Sequence, residues 1–424
     1  MKTYNNPERT EWPDILKRPV LNNRDVDSIV GPVLNNVREK GDEALIKYTL
    51  EFDKVELKNL QVSEEEFIEA GQHVDSELKL AIEHASENIR VFHTAQQLKT
   101  EKIETSPGVI CWQKPVAIEK VGLYIPGGSA PLFSTVLMLV IPARIAGCTE
   151  IILCTPPGKD GKIHPAVLYA AKINGITRVF KIGGAQAVAA MAFGTETIPK
   201  VHKIFGPGNQ YVTAAKQMVS RGDVAIDMPA GPSELAVIAD ESAHIEYVAA
   251  DLLSQAEHGT DSQVLLFTTS KKIADRLPEE VNRQLKHLPR KNIAQVSLEN
   301  SRIIMMKEAG VLMDMVNEYA PEHLIIASDN PDVFAEKIIN AGSVFIGHFT
   351  PESAGDYMSG TNHTLPTNGY AKAYSGVNID SFIRKITFQQ ISKQGIANIG
   401  RDIMKMAAAE ELDAHKNAVA IRLF

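Results

Sequence analysis

Cysteine and long apolar runs are both scarce in this sequence of 424 residues. The cysteines number three and are irregularly spaced: Cys111, Cys148 and Cys154. So few cysteines exclude a disulfide framework and a cysteine-rich zinc site, and they favour a reducing compartment. The most apolar stretch, residues 132–141, is too short to span a bilayer, and residues 1–6 form no apolar signal segment. We therefore expect a cytoplasmic protein with no membrane partner.

An excess of basic residues is also missing. The formal net charge is −8 and the isoelectric point is near 5.9, which argues against nucleic acid as a partner. Hydrophobic residues at 44% and charged residues at 23% are typical of a globular protein. A chain of 424 residues is too long for one ordinary hydrophobic core, so two or more domains are expected.

The N-terminal part of the chain is predicted to be an arm followed by helices. Residues 1–20 are mostly polar and form the arm. Residues 22–50 carry apolar side chains at helical spacing, interrupted at Gly41. Ser63 and Glu66 have the spacing of a capping box, with a hydroxyl at the helix start and a carboxylate three residues later. The helix that they open is predicted to run as far as residue 95.

A repeating plan of strand, turn and helix begins near residue 120, after two strands at residues 109–113 and 116–118 that are expected to pair around Pro115. Four turns close short apolar strands: Pro126-Gly127-Gly128, Thr155-Pro156-Pro157-Gly158, Gly183-Gly184-Ala185-Gln186 and Gly206-Pro207-Gly208-Asn209. Their spacing, about 30 residues, is that of a βαβ unit. It predicts a parallel sheet with ligands beyond the carboxyl ends of its strands. The sequence has no G-x-G-x-x-G with an acidic residue downstream, so these turns indicate either a phosphate or dinucleotide cleft or ordinary βα turns.

A second α/β unit is predicted after the first, with strands at residues 235–239, 263–269 and 344–347. Residues 402–423 are predicted to form one C-terminal helix, which must dock on the body or on another subunit to bury its apolar face. The fold class is therefore α/β, with two incomplete Rossmann-like parallel-sheet domains. The expected division is an arm (1–20), a discontinuous first α/β domain (21–123 and 234–376), a second α/β domain (124–233) and a helical tail (377–424).

Residues 254–261 form the first candidate site. A helical pattern covers residues 245–255, and Gly259 is a typical helix stop. Gln255 and His258 are three residues apart, so on a helix their side chains share a face. The two side chains therefore indicate half of a metal site. The alternative is a surface helix terminus whose histidine bonds the last carbonyl groups.

Three further segments concentrate titratable residues. Glu322 and His323 are adjacent after Pro321 and offer two acid/base groups, or else belong to an ordinary helix-to-strand connection. Residues 353–363 form a long loop of small residues with Asp356 and His363, typical of functional loops but also of plain surface loops. Residues 410–415 add a histidine on the tail helix, where a surface position is the usual alternative.

Four residues from these segments offer a set of metal ligands: Gln255, His258, Asp356 and His415. Two imidazoles, a carboxylate and an amide carbonyl suit Zn²⁺, or Mn²⁺ as the share of oxygen ligands grows. The residues are far apart in the sequence, so their spacing alone does not establish a site.

The sequence resembles the histidinol dehydrogenase family in eight stretches. Three of these contain candidate residues: Gln255-Ala256-Glu257-His258-Gly259, Ala320-Pro321-Glu322-His323-Leu324 and Gly360-Thr361-Asn362-His363. The others are residues 121–131, 183–187, 205–209, 226–234 and 414–416. The resemblance covers nearly the whole chain.

The resemblance implies a role for each candidate residue. Zinc, one ion per subunit with Mn²⁺ as a substitute, would be bound by Gln255, His258, Asp356 and His415. Histidinol would be contacted by these ligands together with Ser233, His323, His363 and Glu410. NAD would be contacted by Tyr124, Gln186 and Asn209. Glu322 and His323 would be the catalytic acid/base pair.

The resemblance also implies a homodimer in which the C-terminal tail of one subunit completes the active site of the other. One point of geometry stands against the substrate role of Glu410. On a single helix Glu411, four residues before His415, would share the face of that histidine, whereas Glu410 would not. A local irregularity in the helix would remove this conflict.

The implied reaction oxidises histidinol to histidinal and then the hydrated aldehyde to histidine, with one NAD⁺ reduced in each step. In this mechanism His323 removes the protons and Glu322 activates the water that hydrates the aldehyde. Three alternatives stay open on the sequence alone: the same fold acting on a different amino or sulfo alcohol, a zinc hydrolase without a redox cofactor, and a non-catalytic scaffold.

Overall fold

Two parallel β-sheets and a small antiparallel sheet organise the chain. The structure is a computed structural model that describes residues 1–19, 23–127, 131–229 and 231–423. The helix start expected at residue 22 and the family-like residues 128–130 and 230 lie outside the described residues. The parallel strands confirm the predicted α/β fold class.

The strands and helices have the following bounds. The strands are β1 Lys2–Asn5, β2 Lys102–Ser106, β3 Val109–Ala117, β4 Lys120–Tyr124, β5 Glu150–Thr155, β6 Val179–Lys181, β7 Lys203–Phe205, β8 Ala225–Ile226, β9 Glu234–Ala239, β10 Gln263–Thr268, β11 Arg302–Met305, β12 His323–Ala327, β13 Ser343–Ile346 and β14 Ile383–Ile391. The α-helices are α1 Trp12–Ile15, α2 Asn23–Lys40, α3 Asp42–Tyr48, α4 Glu64–His73, α5 Ser76–Thr94, α6 Phe133–Ala146, α7 Pro165–Ile173, α8 Gly184–Phe193, α9 Gln210–Val219, α10 Ile245–Ala256, α11 Lys271–Leu285, α12 Lys291–Glu299, α13 Ala309–Tyr319, α14 Asp332–Ala335, α15 Glu352–Tyr357, α16 Ile379–Phe382, α17 Lys393–Ala409 and α18 Asp413–Leu423.

The larger sheet has six parallel strands in the order β1-β11-β10-β9-β12-β13. Its central strands are buried along their whole length. The reason is that α10, α11 and α12 cover one face while the N-terminal arm and α13 cover the other. Leu235 of β9 lies beside His323 of β12. This register brings the first residues of the two strands together at the amino edge of the sheet.

The smaller parallel sheet has five strands in the order β6-β5-β4-β7-β8. Helices α2, α3, α8 and α9 pack on one face, and α4, α5, α6 and α7 pack on the other. The helices of residues 23–94 therefore lie on this sheet, whereas the expected division grouped residues 21–123 with residues 234–376. An apolar helix stripe predicts burial but does not specify which sheet covers it.

Capping residues decide where the N-terminal helices begin and end. The Ser63 hydroxyl accepts a hydrogen bond from the N–H of Glu66, and the Glu66 carboxylate accepts one from the N–H of Ser63. This confirms the predicted capping box. The continuous helix expected to residue 95 is instead two helices, because the Asp75 side chain accepts hydrogen bonds from two N–H groups at the start of α5.

The antiparallel sheet has the order β14-β3-β2. The predicted pairing of residues 109–113 with 116–118 is wrong, because β3 runs unbroken through Pro115 and pairs with β14 instead. Strand β2 is paired with β3 only as far as Trp112. The residues of β3 beyond Trp112 therefore form a local edge, where a proline without an N–H donor is tolerated.

The end of the C-terminal tail forms two helices, α17 and α18, which pack against each other, whereas residues 383–391 of the expected helical tail form strand β14. The predicted single helix over residues 402–423 is wrong, because Glu411 takes a left-handed backbone conformation with φ of 59° and ends α17. Glu410 and His415 therefore do not share one helix, and this irregularity removes the conflict over Glu410. None of the described helices has both the length and the apolar character that crossing a membrane requires.

Candidate active site between the two parallel sheets

The predicted acid/base pair lies at the start of strand β12. Ala320, with φ of 51°, ends α13 and turns the chain into the strand. Glu322 and His323 are both buried. The Glu322 Oε2 accepts a hydrogen bond from the N–H of Glu234 at 2.8 Å, and the His323 Nδ1 lies 3.2 Å from the carbonyl oxygen of the same residue. The first residue of the neighbouring strand β9 thus holds both side chains.

This contact assigns the proton on the imidazole of His323. A carbonyl oxygen only accepts hydrogen bonds, so Nδ1 carries the hydrogen that it donates to Glu234. The Nε2 is then an unprotonated lone pair, and it is buried without a hydrogen-bond partner among the described residues. Burial lowers the pKa of His323 to about 3. The Nε2 is therefore unprotonated at neutral pH.

Helix α15 and the loop after it bring further polar groups to His323. The Glu352 Oε1 lies 3.5 Å from Nδ1 of His323, and the Asp356 Oδ1 lies 3.9 Å from its Nε2. Glu352 and Asp356 are four positions apart in the sequence, which places the two carboxylates on one face of the helix. The His363 Nδ1 donates a 3.0 Å hydrogen bond to the Asp356 carbonyl oxygen, and its Nε2 lies 3.1 Å from the Thr135 hydroxyl.

Burial shifts the pKa values of these groups toward their neutral forms. Burial raises the pKa of Glu322 and of Glu352 well above the usual range, and nearby carboxylates add to the shift. Burial also raises the pKa of Asp356 to about 6, although His258 offsets part of the effect. For His363 burial lowers the pKa to about 4. A bound cation would relieve this concentration of buried carboxylates.

The polar atoms around Asp356 fit a divalent cation. Both amide atoms of Gln255 and both carboxylate oxygens of Glu352 are buried without hydrogen-bond partners among the described residues. One ligand atom each from His323, Glu352 and Asp356 lies within 4.8 Å of the others. His258 is at the wall of the cleft and is partly open to solvent as a residue. Nitrogen and oxygen donors of this kind suit Zn²⁺ or Mn²⁺.

A cleft of about 660 Å³ opens beside the acid/base pair. Its wall includes Ser233, His258, Glu322 and His363, which the sequence analysis assigned to substrate, metal or catalysis. Asn209, at the carboxyl edge of the five-stranded sheet, lines the same cleft. The two parallel sheets therefore meet here, the carboxyl edge of one facing the amino edge of the other.

A second cleft of about 990 Å³ is lined by Tyr124, Gln186 and Asn209, the predicted NAD contacts. The Tyr124 hydroxyl accepts a 3.1 Å hydrogen bond from the N–H of Gly184, and the Gln186 Oε1 is buried without a partner among the described residues. The Asn209 Oδ1 caps α9 by accepting from two N–H groups. Gly206 has φ of 122° and packs so closely on the carbonyl of Tyr124 that no side chain fits there.

The tail residues of the predicted site are not brought to it within one chain. His415 lies on α18 and Glu410 at the end of α17, and both are exposed. None of the described residues that line the two clefts comes from the tail. Asp356 thus lies beside His323, His258 lies on the wall of the smaller cleft and Gln255 is buried near the end of α10, whereas His415 is exposed on α18.

Two residues of the site were given no role by the sequence analysis. Glu352 follows Pro351 and stands directly before the loop at residues 353–363. Because that loop was already a candidate site, the carboxylate directly before it was a sequence signal that could have identified Glu352. Glu234 closes the family-like stretch at residues 226–234, but its backbone contacts with Glu322 and His323 depend on strand register. No local pattern indicates them.

The α/β fold, with the buried Glu322 and His323 beside the smaller of two clefts, is typical of an enzyme, and its relatives are oxidoreductases. The family model described as histidinol dehydrogenase matches residues 16–423, and the chain belongs to this family. It is 61% identical over 423 residues to histidinol dehydrogenase of Bacteroides thetaiotaomicron, covering 100% of this chain and 99% of the relative.

Another relative and one crystal structure agree with this assignment. The chain is 50% identical over 412 residues to histidinol dehydrogenase of Escherichia coli strain K12, covering 96% of this chain and 94% of the relative. The crystal structure of histidinol dehydrogenase from Elizabethkingia anophelis superposes with a TM-score of 0.98 at 56% identity. That match covers 100% of this chain and 98% of the other.

Proposed function

We propose that this protein oxidises histidinol to histidine through histidinal in the last steps of histidine biosynthesis, with zinc bound and two NAD⁺ reduced. The balanced reaction consumes one water and releases three protons. The observation that carries the proposal is the fixed tautomer of His323, whose free Nε2 lies among candidate metal ligands beside the smaller cleft.

His323 is the proposed general base. Its Nδ1–H is held on the Glu234 carbonyl, so the ring is oriented with Nε2 as the only site for a new proton. Nε2 would take the hydroxyl proton of the alcohol, and in the second oxidation that of the hydrated aldehyde. A positioned base of this kind contributes roughly 10²–10⁴ in rate.

Glu322 is proposed to activate the water that hydrates the aldehyde. One of its oxygens is held by the N–H of Glu234, which leaves the other for a water molecule. Burial raises the pKa of Glu322, so the carboxylate is a stronger base once it is ionised. The charge of Glu322 is not needed for the first oxidation, which consumes no water.

Zinc would be held by Gln255, His258 and Asp356 of one subunit, with His415 of the tail as a fourth ligand. When bound, zinc supplies a Lewis acid that fixes and polarises the substrate. The unpartnered amide of Gln255 supports this set, because a buried amide without a hydrogen bond is costly unless a ligand satisfies it. Ser233, His363 and Glu410 are the further proposed contacts to histidinol.

NAD is proposed to occupy the larger cleft. When bound, it accepts the hydride in each oxidation. Tyr124, Gln186 and Asn209 line this cleft at the carboxyl edge of the five-stranded sheet, where parallel sheets bind dinucleotides. Asn209 also lines the smaller cleft, so a cofactor that extends past it would reach the substrate.

A homodimer with exchanged tails is proposed to complete the site. The exposed position of Glu410 and His415 supports it, as do the apolar side chains that the tail exposes at Met406, Leu412 and Ile421. Partners other than histidinol and a second copy of the chain are not proposed, and the predicted location is the cytoplasm.

The shared site is tested by mixing two inactive variants, His258→Asn and His415→Asn. If each active site takes His258 from one subunit and His415 from the other, a mixed dimer regains one intact site. Random exchange of subunits should then restore about one quarter of the wild-type activity. No recovery on mixing, with exchange shown by mass spectrometry, contradicts the shared site.

The function itself is tested by following NADH absorbance after histidinol and NAD⁺ are added, with and without a chelator. We expect two NADH per histidinol, loss of activity with the chelator and recovery with Zn²⁺ or Mn²⁺. His258→Asn should lower the zinc content, which metal analysis measures independently of enzyme activity. Release of NADH that is insensitive to prolonged chelation would refute the zinc requirement, and no NADH at all would refute the dehydrogenase.

A further inference from the structure

Arg18, near the end of the N-terminal arm, forms a two-point ion pair with Glu234. Its Nε lies 2.5 Å from one carboxylate oxygen and its Nη2 lies 2.7 Å from the other. The guanidinium also packs on the ring of Tyr319, 4.0 Å from the centroid, and donates to the Tyr319 carbonyl at 2.7 Å. The side chains of Arg18 and Glu234 are only 18% and 3% exposed, so solvent screens the pair little.

Glu234 therefore connects the arm to the acid/base pair. Its carboxylate is occupied by Arg18 and by the N–H of Asn368 at 2.6 Å. Its own N–H donates to Glu322, and its carbonyl accepts from Nδ1 of His323. One residue thus fixes the orientation of both catalytic groups through its backbone, while its side chain is anchored by Arg18.

The main chain of the arm is anchored at the same place. The Gln263 Nε2 donates a 3.1 Å hydrogen bond to the carbonyl of Lys17, and the Gln263 Oε1 accepts from the Tyr319 hydroxyl at 2.9 Å. Trp12 and Ile15 are buried against the six-stranded sheet. The backbone that carries the Arg18 side chain is therefore held in place.

We propose that Arg18 is a positioning residue for catalysis, which acts on Glu322 and His323 through Glu234. The N-terminal arm is then part of the catalytic apparatus, and residues 16–19 of the arm also line the smaller cleft. This inference rests on the acid/base roles proposed for Glu322 and His323.

A guanidinium is needed because its planar fork matches both oxygens of a carboxylate. A lysine would keep the charge but supply one point of contact, so the Glu234 carboxylate would be held less firmly, by the lysine and by the N–H of Asn368. Displacement of a catalytic group by about 1 Å can cost about 10² in rate. The peptide of Glu234 contacts both groups directly, so a small shift of this peptide moves the base and the carboxylate together.

The experiment measures the first-order rate of NADH formation in a single turnover with excess enzyme, for Arg18→Met and Arg18→Lys. This rate constant does not depend on the fraction of folded protein. We expect Arg18→Met to slow both oxidations about 10- to 100-fold, with the KM for NAD⁺ unchanged and Arg18→Lys in between. The other arginine of the arm, Arg9, pairs with Asp314 with both side chains exposed, at 66% and 53%. Arg9→Met is the matched control and should stay within about 2-fold of wild type.

A double-mutant cycle separates positioning from general stability. In the first oxidation, which does not need Glu322, Arg18→Met combined with His323→Asn should be about as slow as His323→Asn alone if Arg18 acts through His323. Losses that multiply would overturn the proposal, as would a wild-type rate in Arg18→Met. If Arg18→Met does not fold, Arg18→Lys decides, and a wild-type rate in that variant overturns the proposal. An inactive wild-type protein would instead refute the proposed function, so the two failures are distinguishable.

Discussion

The two clefts of the molecule are built in different ways. The larger cleft lies at the carboxyl edge of the five-stranded sheet, and turns between consecutive elements form much of its wall. Asn209, for example, caps the helix that follows it through bonds spanning two and three residues. The smaller cleft lies at the amino edge of the six-stranded sheet. Its decisive contacts join Glu234 to Glu322 and His323 across 88 and 89 residues.

This difference matches the proposed division between NAD binding in the larger cleft and catalysis in the smaller one. Turns at strand ends present backbone and uncharged side chains, which suffice to hold a large ligand. An acid/base pair needs buried groups with shifted pKa values and fixed tautomers, and only packing between distant elements supplies these. Single substitutions in the smaller cleft should therefore lower enzyme activity more than single substitutions in the larger cleft.

The largest expected effect is that of His323→Asn in the smaller cleft. Asparagine keeps a polar side chain but lacks the basic ring nitrogen that histidine offers as Nε2. Both oxidations should therefore slow by roughly 10²–10⁴. Single-turnover NADH formation measures each step with histidinol or histidinal as the substrate. A variant with more than about one tenth of the wild-type rate would contradict the role of general base.

The next effect, Glu322→Gln, should be selective. The amide retains the size of the side chain but cannot act as a base, so aldehyde oxidation should slow by about 10² while the first oxidation stays near wild type. Rapid-quench measurement should show histidinal accumulating. Equal losses in the two steps would assign Glu322 to positioning only.

A smaller effect concerns stability near the site. Burial raises the pKa of Asp251 on α10 to about 7, well above its usual range. A carboxyl group whose pKa is higher in the folded than in the unfolded state contributes folding stability that is fully present below the unfolded pKa, near 3.8. This stability is lost as the pH rises through the folded pKa of about 7. Asp251→Asn should therefore stabilise the protein by about 1–2 kcal/mol at pH 8 and by less at pH 5. Urea unfolding at both pH values tests this, and a gain that does not grow with pH contradicts it.

The smallest effect is expected in the larger cleft. Gln186→Ala removes a buried amide whose oxygen has no partner among the described residues, so the KM for NAD⁺ should rise about 5- to 10-fold. The KM for histidinol and the single-turnover rate at saturating NAD⁺ should stay unchanged. Gln113→Ala, at an exposed position of the otherwise half-buried strand β3, is the matched control. An increase in the KM for histidinol alone would contradict the proposed role of Gln186 in NAD⁺ binding.

Much of the fold was predictable because its signals are local. The capping box at Ser63 and the helix at residues 245–256 follow from neighbouring residues. The strand through Pro115 and the break at Glu411 were mispredicted, since strand partners and a left-handed residue after a run of alanines depend on the surroundings. Of the site, the resemblance named Gln255, His258 and Asp356, while Glu352 had only a weak signal.

The sequence by itself determined the α/β alternation, the turns of the larger cleft and the adjacent titratable residues Glu322 and His323, because periodicity, glycine turns and neighbouring residues are properties of short segments. Only the tertiary structure decided which sheet the N-terminal helices cover, that Arg18 pairs with Glu234 and that Glu352 lies beside His323. It also placed Glu234 between the arm and His323. These depend on strand register and on packing between segments tens to hundreds of residues apart, which no local pattern encodes.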